Sequence, residues 1–315
     1  MKYAKITGTG SYLPKQVFTN ADWEKRVNTS DAWIVERTGI KSRHIASENE
    51  TATMMGANAA LNALNMANVN AKDIQLVIVA TGTPDKIFPA TACLIQKQLQ
   101  IPTCIAFDIQ AACSGFVYAL SIADQYIKSG VIKRALIIGT EVMSRLIDWQ
   151  DRNTCVLFGD GAGACVLEAS DSPGILSTHL YADGNYNDIL YVDMPSGKEP
   201  CYIHMQGQKV FKLAVAKLGE LVKDTLQFHN IKSEDIDWLV PHQANIRIIK
   251  ATADKLKLPM EKVICTVEAH SNTSSASIPL ALDIGIRDGR IKKGQTLLLE
   301  AIGGGMTWGS ALVKY

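Results

Sequence analysis

The chain predicts an α/β protein in which one αβα layering is built twice. Short apolar runs alternate with longer amphipathic segments, the pattern of layered folds with a largely buried sheet. The order of these runs recurs: DIQLVIVATGTPD (73–85) reads like DIDWLVPHQAN (235–245), CIAFDIQAACSGFVYAL like VICTVEAHSNTSSASIPLAL, and RALIIGT like QTLLLEAIGGG. A turn-rich break, SDSPG at 170–174, separates the copies, giving halves of 1–172 and 173–315. Under that reading the ends of equivalent strands converge on one central site.

The elements follow in order. MKYAKITGTG alternates, which places a strand at 3–10. The short apolar runs at 74–81, 104–108, 134–140 and 163–168 supply the other strands of the first half, and those at 175–181, 236–241, 263–267, 295–301 and 307–314 the strands of the second. Helices are expected at 51–67, 90–99, 114–129, 206–228, 245–257 and 274–288. Pro89 stands just ahead of the second helix, and Gly130 follows the third where a C-cap glycine belongs. Glycines within GDGAG (159–163) fit bends or close packing in a strand. GGG (303–305) ends an apolar strand and has the position to turn an N–H toward an oxyanion. Neither stretch has phosphate-cradle spacing.

Composition narrows the function. At 315 residues, with 47 % apolar and 20 % charged side chains, the chain has material for a large core. A formal net charge of +1 gives no global attraction to nucleic acid or an anionic membrane, so a charged partner needs a local patch. Seven cysteines, odd in number and mostly within apolar runs, and six scattered histidines give neither a disulfide framework nor a zinc pattern. With no signal core and no apolar stretch of roughly 18 residues, a cytoplasmic protein without membrane insertion is expected.

Cys113 falls where a strand gives way to the helical pattern of Phe116, Val117, Leu120, Ala123 and Ile127. A helix N-terminus favours a thiolate, and the small neighbours Ala111, Ala112, Ser114 and Gly115 permit a sharp turn. Read alone, Cys113 is either a nucleophile or a small buried hydrophobe. His242 has the same two faces, site residue or structural histidine, and Asn272 reads as a site residue or an N-cap. Their coincidence favours catalysis, since all three end strands in repeat-related segments.

DIQAACSGF (108–116), VPHQANIRI (240–248), NTSSASIPLAL (272–282) and GGGMTWGSALV (303–313) together resemble the 3-oxoacyl-[acyl-carrier-protein] synthase III family, initiating condensing enzymes of type II fatty acid synthesis in the thiolase superfamily. TSDAWIVERTGI (29–40) and LFGDGAGA (157–164) extend the likeness over nearly the whole chain. The resemblance implies a thiolase-like duplicated αβαβα five-layered architecture, a homodimer, and a triad of Cys113 from the first half with His242 and Asn272 from the second. It implies that Cys113 attacks an acyl-CoA thioester, with acetyl-CoA the expected primer, and releases CoA. Malonyl-acyl-carrier protein then loses CO2, and its enolate, held by His242 Nε2 and the Asn272 side-chain N–H, attacks the acyl group. Backbone N–H groups of Cys113 and Gly304 form the implied oxyanion hole. No metal or redox cofactor is implied, and the CoA thioesters are substrates.

By the same resemblance Thr29, Trp33, Arg37, Arg152, Gly207 and Asn245 bind CoA. Trp33 and the arginines lie at the adenine and phosphate, and Gly207 and Asn245 along the pantetheine tunnel. Phe88 reaches across the dimer to close the partner's acyl pocket, which favours short primers. Lys212, Arg247 and Lys255 form the basic patch for the acidic carrier protein. Two positions depart from the family pattern. Ile302 replaces a phenylalanine before GGG, and Ser271 replaces the glycine before Asn272. The competing readings are a polyketide- or alkylquinolone-type condensing enzyme, a cysteine hydrolase, and an acyl-CoA binding protein without catalysis. A thiolase proper would carry a second cysteine near the C-terminal glycines, where this chain has none.

Overall fold

The computed structural model describes residues 2–194 and 200–315. In the first half β1 (Tyr3–Tyr12), β2 (Gln16–Thr19), α1 (Asn20–Glu24), α2 (Asp31–Thr38), β3 (Ser42–Ile45) and α3 (Ala52–Ala67) precede β4 (Leu76–Ala80). α4 (Thr91–Gln98), β5 (Ile105–Ile109), α5 (Gly115–Lys128), β6 (Arg134–Val142) and β7 (Asp160–Ser170) follow. The second half runs β8 (Ile175–Ala182), β9 (Leu190–Tyr191), β10 (His204–Met205), α6 (Gly207–His229), β11 (Trp238–Pro241), α7 (Ile246–Leu256), α8 (Val267–His270), α9 (Ser277–Arg287), β12 (Thr296–Gly303) and β13 (Thr307–Lys314).

Two sheets carry the architecture. One is ordered β1-β7-β6-β4-β5, the other β8-β13-β12-β11. Read in parallel, the second repeats the first, and a single bridge between Leu239 and Val263 stands in for its fifth strand. Side chains alternate along each strand, so both faces of each sheet find a partner. Val77, Val79, Leu136 and Ile138 pack outward under Met55, Ala59 and Ala63 of α3 and Ile95 of α4. Leu76, Ile78, Ala135 and Ile137 face inward to α5 and α9, which meet Leu297, Leu299, Ala311 and Val313 on their other side. Leu298 and Leu312 then face Val222 of α6 and Ile249, Ala253 and Leu256 of α7. The result is helix, sheet, helix pair, sheet, helix. Every side chain of β4 is fully buried, and at about 1.5–3 kcal/mol per large aliphatic side chain such strands fix the order of the layers.

Besides the short β9, β10 and α8, three features differ from the sequence expectation. Residues 263–267 do not form a strand: Ile264 N reaches Leu239 O on β11 at 2.9 Å, but beyond that single bridge the buried Gln243 side chain satisfies the backbone. Gln243 Nε2 donates to Ile264 O at 3.0 Å, and its Oε1 accepts from Thr266 N at 2.7 Å and Val267 N at 3.0 Å. The strand expected at 163–168 begins three residues earlier, at Asp160, whose buried carboxylate accepts from Ala46 N and from Ser144 N and Oγ. The segment 16–45, unassigned from sequence, folds into β2, β3 and two helices. In α2, Ser30 caps the Trp33 N–H, and Gly39 closes the helix at φ 77°.

The close-packing reading of GDGAG holds. A Cβ on Gly163 would lie 2.7 Å from Pro279 and from the Leu280 nitrogen on α9, whereas one on Gly184 would meet open space. Gly163→Ala is therefore expected to lower stability by about 1–3 kcal/mol, while Gly184→Ala stays within about 0.5 kcal/mol of the parent. Denaturant midpoints at constant m-value measure both.

Candidate active site

Cys113 sits in a turn that the surrounding strands hold under strain. After β5 the chain passes through Ala112 at φ 45°, unusual for a residue with a Cβ. A single 3-10 turn, Ala112–Ser114, then runs into α5. Ser114 Oγ donates to Ala111 O at 2.7 Å, and Thr307 Oγ1 donates to the same carbonyl at 2.8 Å. Gly303 approaches so closely that a Cβ there would fall 2.6 Å from the Cys113 nitrogen. The small residues legible around Cys113 thus serve a real close approach. Burial pushes the Cys113 thiol up to about 12, and the Ser274 hydroxyl works in the opposite sense. Burial thus opposes the thiolate, while the helix N-terminus favours it.

His242 follows β11 and is buried. Its Nδ1 lies 2.5 Å from Ser277 Oγ, which accepts from Gln243 N at 3.3 Å. Ser277 Oγ has a proton and two lone pairs, so it fixes the ring through Nδ1, and the tautomer in which Ser277 donates leaves the His242 proton on Nε2. Burial lowers its pKa to about 3, so the ring is neutral. Asn272 is held by its backbone: its N–H donates to Leu157 O at 3.0 Å and its carbonyl accepts from Gly159 N at 3.1 Å. Its Oδ1 accepts from Ser274 N at 2.9 Å. Among the described residues no acceptor takes the Asn272 Nδ2 protons. Cys113, His242 and Asn272 line one cavity of about 570 Å3, together with Ser274, Ile302 and Gly304. Apart from these few polar groups its wall is largely apolar, with Met143, Leu146, Phe158, Val210 and Ile248 among its residues.

The other expected site residues fall around this cavity. Gly207 and Asn245 line it. Asn245 also caps α7, accepting from Arg247 N at 2.8 Å and donating to Arg37 O at 2.9 Å, so its side chain has structural work of its own. Arg37 and Arg152 each lie 5.0 Å from the Trp33 ring, and Arg152 Nη1 donates to Asn28 O at 2.8 Å. Beside them Thr29 Oγ1 is buried without a hydrogen-bond partner. Lys212 and Lys255 are exposed on α6 and α7. The Arg247 guanidinium lies over the cavity-lining Phe211 at 5.1 Å, and the Lys255 stem runs beside Gly219. Phe88 does not line the cavity of its own chain and is 83 % exposed.

Comparison with known proteins agrees with the geometry. The family model described as 3-oxoacyl-[acyl-carrier-protein (ACP)] synthase III matches residues 107–184, and its C-terminal counterpart matches 226–315. A beta-ketoacyl-[acyl-carrier-protein] synthase III of Methylococcus capsulatus is 58 % identical over 319 residues, across 100 % of this chain and 99 % of its own. The chain belongs to the 3-oxoacyl-[acyl-carrier-protein] synthase III family. The crystal structure of the synthase III from Aquifex aeolicus VF5 superposes at TM-score 0.96 with 50 % identity, covering 99 % of this chain and 100 % of that one. The priming beta-ketosynthase of the R1128 polyketide pathway superposes at 0.95 with 36 % identity, covering 99 % and 96 %. The five-layered architecture is the thiolase-like fold of this family.

In this synthase III chain several buried groups at the site escaped the sequence reading: Glu141, Gln243, Ser274, Ser277 and Glu300. Each is a polar residue within an apolar or serine-rich run, and no local pattern marks it. Glu300 pairs with Pro241 across β11 and β12, and its carbonyl accepts from His242 N at 2.8 Å. Its Oε2 is buried without a partner, and burial pushes the acid up to about 8. Ser271, where the family pattern has glycine, adopts φ 58° and ψ −160°, a region that suits glycine alone.

Two outcomes follow. Between pH 4.5 and about 8 the unfolded chain ionises Glu300 while the folded chain keeps it protonated, so the parent loses stability as pH rises through that window. The stability of Glu300→Gln relative to the parent therefore increases from pH 5 to pH 8, measured by urea unfolding; a constant difference contradicts it. Ser271→Gly relieves a conformation costing about 1–3 kcal/mol against a smaller gain in unfolded-chain entropy. A higher thermal midpoint is expected.

Proposed function

We propose that this protein condenses an acyl-CoA primer, acetyl-CoA first among them, with malonyl-acyl-carrier protein to give 3-oxoacyl-carrier protein, CoA and CO2, the initiating step of type II fatty acid synthesis. One observation carries the reading: a buried cysteine shares a largely apolar cavity with two neutral donors, His242 Nε2–H and Asn272 Nδ2, from the other half of the chain. In the first half-reaction the Cys113 sulfur attacks the thioester carbonyl, and CoA leaves. N–H groups of Cys113 and Gly304 hold the oxyanion. In the second, malonyl-carrier protein binds, its C–C bond to the carboxylate breaks, and the electron pair moves onto the thioester carbonyl. His242 and Asn272 donate to that oxygen, which stabilises the enolate without any change in their own charge. The carbanion attacks the acyl-cysteine, and the Cys113 sulfur departs.

The halves 1–172 and 173–315 divide the work, one supplying the nucleophile and the other both donors. Thr29, Trp33, Arg37 and Arg152 take the nucleotide end of CoA, and Gly207 and Asn245 flank the pantetheine arm. Lys212, Arg247 and Lys255 present positive charge for an acidic carrier protein. Phe88, exposed in the single chain, completes the acyl pocket of a second copy in a homodimer. The chemistry calls for no metal or redox group, since loss of CO2 itself generates the nucleophile. No helix among the described residues is long and apolar enough to cross a membrane, in keeping with the cytoplasmic location proposed here.

Incubation with acetyl-CoA followed by peptide mass spectrometry tests this reading. The parent gains one acetyl group on Cys113, and Cys113→Ala gains none. His242→Ala and Asn272→Asp are acetylated but form ketone about 10²–10³-fold more slowly after malonyl-carrier protein is added. Asn272→Asp keeps an acceptor for Ser274 N and replaces the Nδ2 donor with a carboxylate oxygen. Acetyl transfer to water with no lasting adduct contradicts the proposal.

A further inference from the structure

A guanidinium without a carboxylate partner is buried behind the segment that holds Asn272. Arg43, in β3, is 0 % exposed, and among the described residues it takes part in no ion pair. Its partners are neutral. Nη2 donates to Val156 O at 2.7 Å, and Nη1 donates to Asn20 Oδ1 at 2.8 Å and to Phe18 O at 3.4 Å. Nε is buried without a partner, and the guanidinium lies 6.0 Å from the Trp23 ring. Taking a charge out of water with no opposite charge beside it is costly, and a well-packed apolar side chain would fill the same space at lower cost. What an apolar side chain lacks is a rigid fork of donors that joins acceptors on separate segments.

One of those acceptors opens the stretch on which Asn272 rests. After Val156, Leu157 O accepts from Asn272 N at 3.0 Å, Phe158 forms a bridge with Asn272, and Gly159 N donates to Asn272 O at 3.1 Å. Arg43 meets this stretch at both ends. It bonds Val156 O, and a Cβ on Gly159 would fall 3.1 Å from Arg43 Cβ. The same Cβ would lie 2.4 Å from Ser271 Oγ and 3.2 Å from His270 O, so Gly159 is clamped between Arg43 and the residues just before Asn272. The other arm of the fork is anchored too, since Asn20 Nδ2 donates to Asp31 Oδ1 and to Ile40 O, each at 2.8 Å. Ser271 leads into Asn272 at φ 58°, a conformation that persists only where the surroundings over-determine it. The Cys113 turn, by contrast, is held by Ser114, Thr307 and Gly303.

We propose that Arg43 is a positioning residue for Asn272: by fixing Val156 O it sets the stretch 156–159 that holds the Asn272 backbone, and with it the aim of the Nδ2 donor. The inference rests on the condensing reaction proposed above, in which Asn272 serves the enolate oxygen of the malonyl thioester and takes no part in acyl transfer to Cys113. Arg43 itself does not line the cavity. Loss of its guanidinium leaves Val156 O and Asn20 Oδ1 without their partner, and the stretch is then free to shift against the strained Ser271. A small displacement lowers the rate wherever a donor must meet a developing charge. Condensation therefore slows, while acyl transfer does not.

Arg43→Met in the full-length protein tests the assignment, with the two half-reactions measured separately. Acetylation of Cys113 at saturating acetyl-CoA, read by intact mass in quenched flow, is expected to change less than about twofold, the spread of independent sites. Single-turnover condensation of the preloaded acetyl-enzyme with malonyl-carrier protein is expected to slow about tenfold, short of the roughly 10²–10³-fold that follows outright loss of a donor. The deciding readout is the same substitution in an Asn272→Ala background. There the condensation rate is expected to fall by less than about twofold further, because the group that Arg43 positions is gone. A residue that merely supports the fold slows both half-reactions alike, or slows condensation by the same factor with and without Asn272. Either result overturns the proposal, as does condensation by Arg43→Met at the parental rate. If Arg43→Met does not fold, Arg43→Gln, which is two atoms shorter and has no charge to desolvate, decides by the same criteria. A parent that is acetylated but forms no ketone defeats the condensing function itself, an outcome distinct from an Arg43 variant that matches its parent.

Discussion

The site depends on two helix-opening turns packed against each other at the centre of the molecule. Ala112–Ser114 opens α5 and Ser274–Ala276 opens α9, each with a positive φ at its first residue, 45° at Ala112 and 50° at Ser274. The strands beneath them make room. Gly139 lies so close to Ser275 O that a Cβ would come within 2.3 Å, and Gly303 meets Cys113 N in the same manner. Ser275 Oγ then reaches back to Ala80 O and Glu141 on the opposite half. A duplicated fold places these turns face to face, so residues distant in the chain share one small volume.

Burial is both the means and the cost of this arrangement. In a dry wall neutral donors such as His242 Nε2–H and Asn272 Nδ2–H act on a developing negative charge with little competition from water. The same dryness disfavours charge on His242, Cys113 and Glu300 alike. An enolate is therefore well served, while a nucleophilic thiolate is opposed until its proton has somewhere to go. The strain at Ala112, Ser271 and Ser274 lies within a few residues of reacting groups, where a fixed geometry is worth its energetic cost.

Much of this was legible from the sequence. The order of apolar runs gave both sheets, the break at 170–174 separates β7 from β8, and the small residues about Cys113 announced a tight turn. Cys113, His242 and Asn272 were recognisable because each ended a strand in equivalent segments. What stayed hidden depended on side chains acting in place of backbone. VICTV reads as a strand, yet the Gln243 amide takes its hydrogen bonds. Glu141 and Glu300 lie inside apolar strands, and only the fold reveals that one is surrounded by donors while the other has a bare oxygen. Positive φ at alanine and serine leaves no compositional trace, and α2 was missed although Ser30 and Gly39 mark its ends.

The central claim is that one buried cavity brings the Cys113 sulfur, two backbone N–H groups and two neutral side-chain donors to bear on a single thioester. A crystal structure of the protein after soaking with a primer acyl-CoA measures this directly. The account predicts acyl density continuous with Cys113 Sγ, its carbonyl oxygen within hydrogen-bond distance of the N–H groups of Cys113 and Gly304, and His242 Nε2 and Asn272 Nδ2 facing the open side. An acyl group on another residue, or a carbonyl oxygen turned away from both N–H groups, would contradict it.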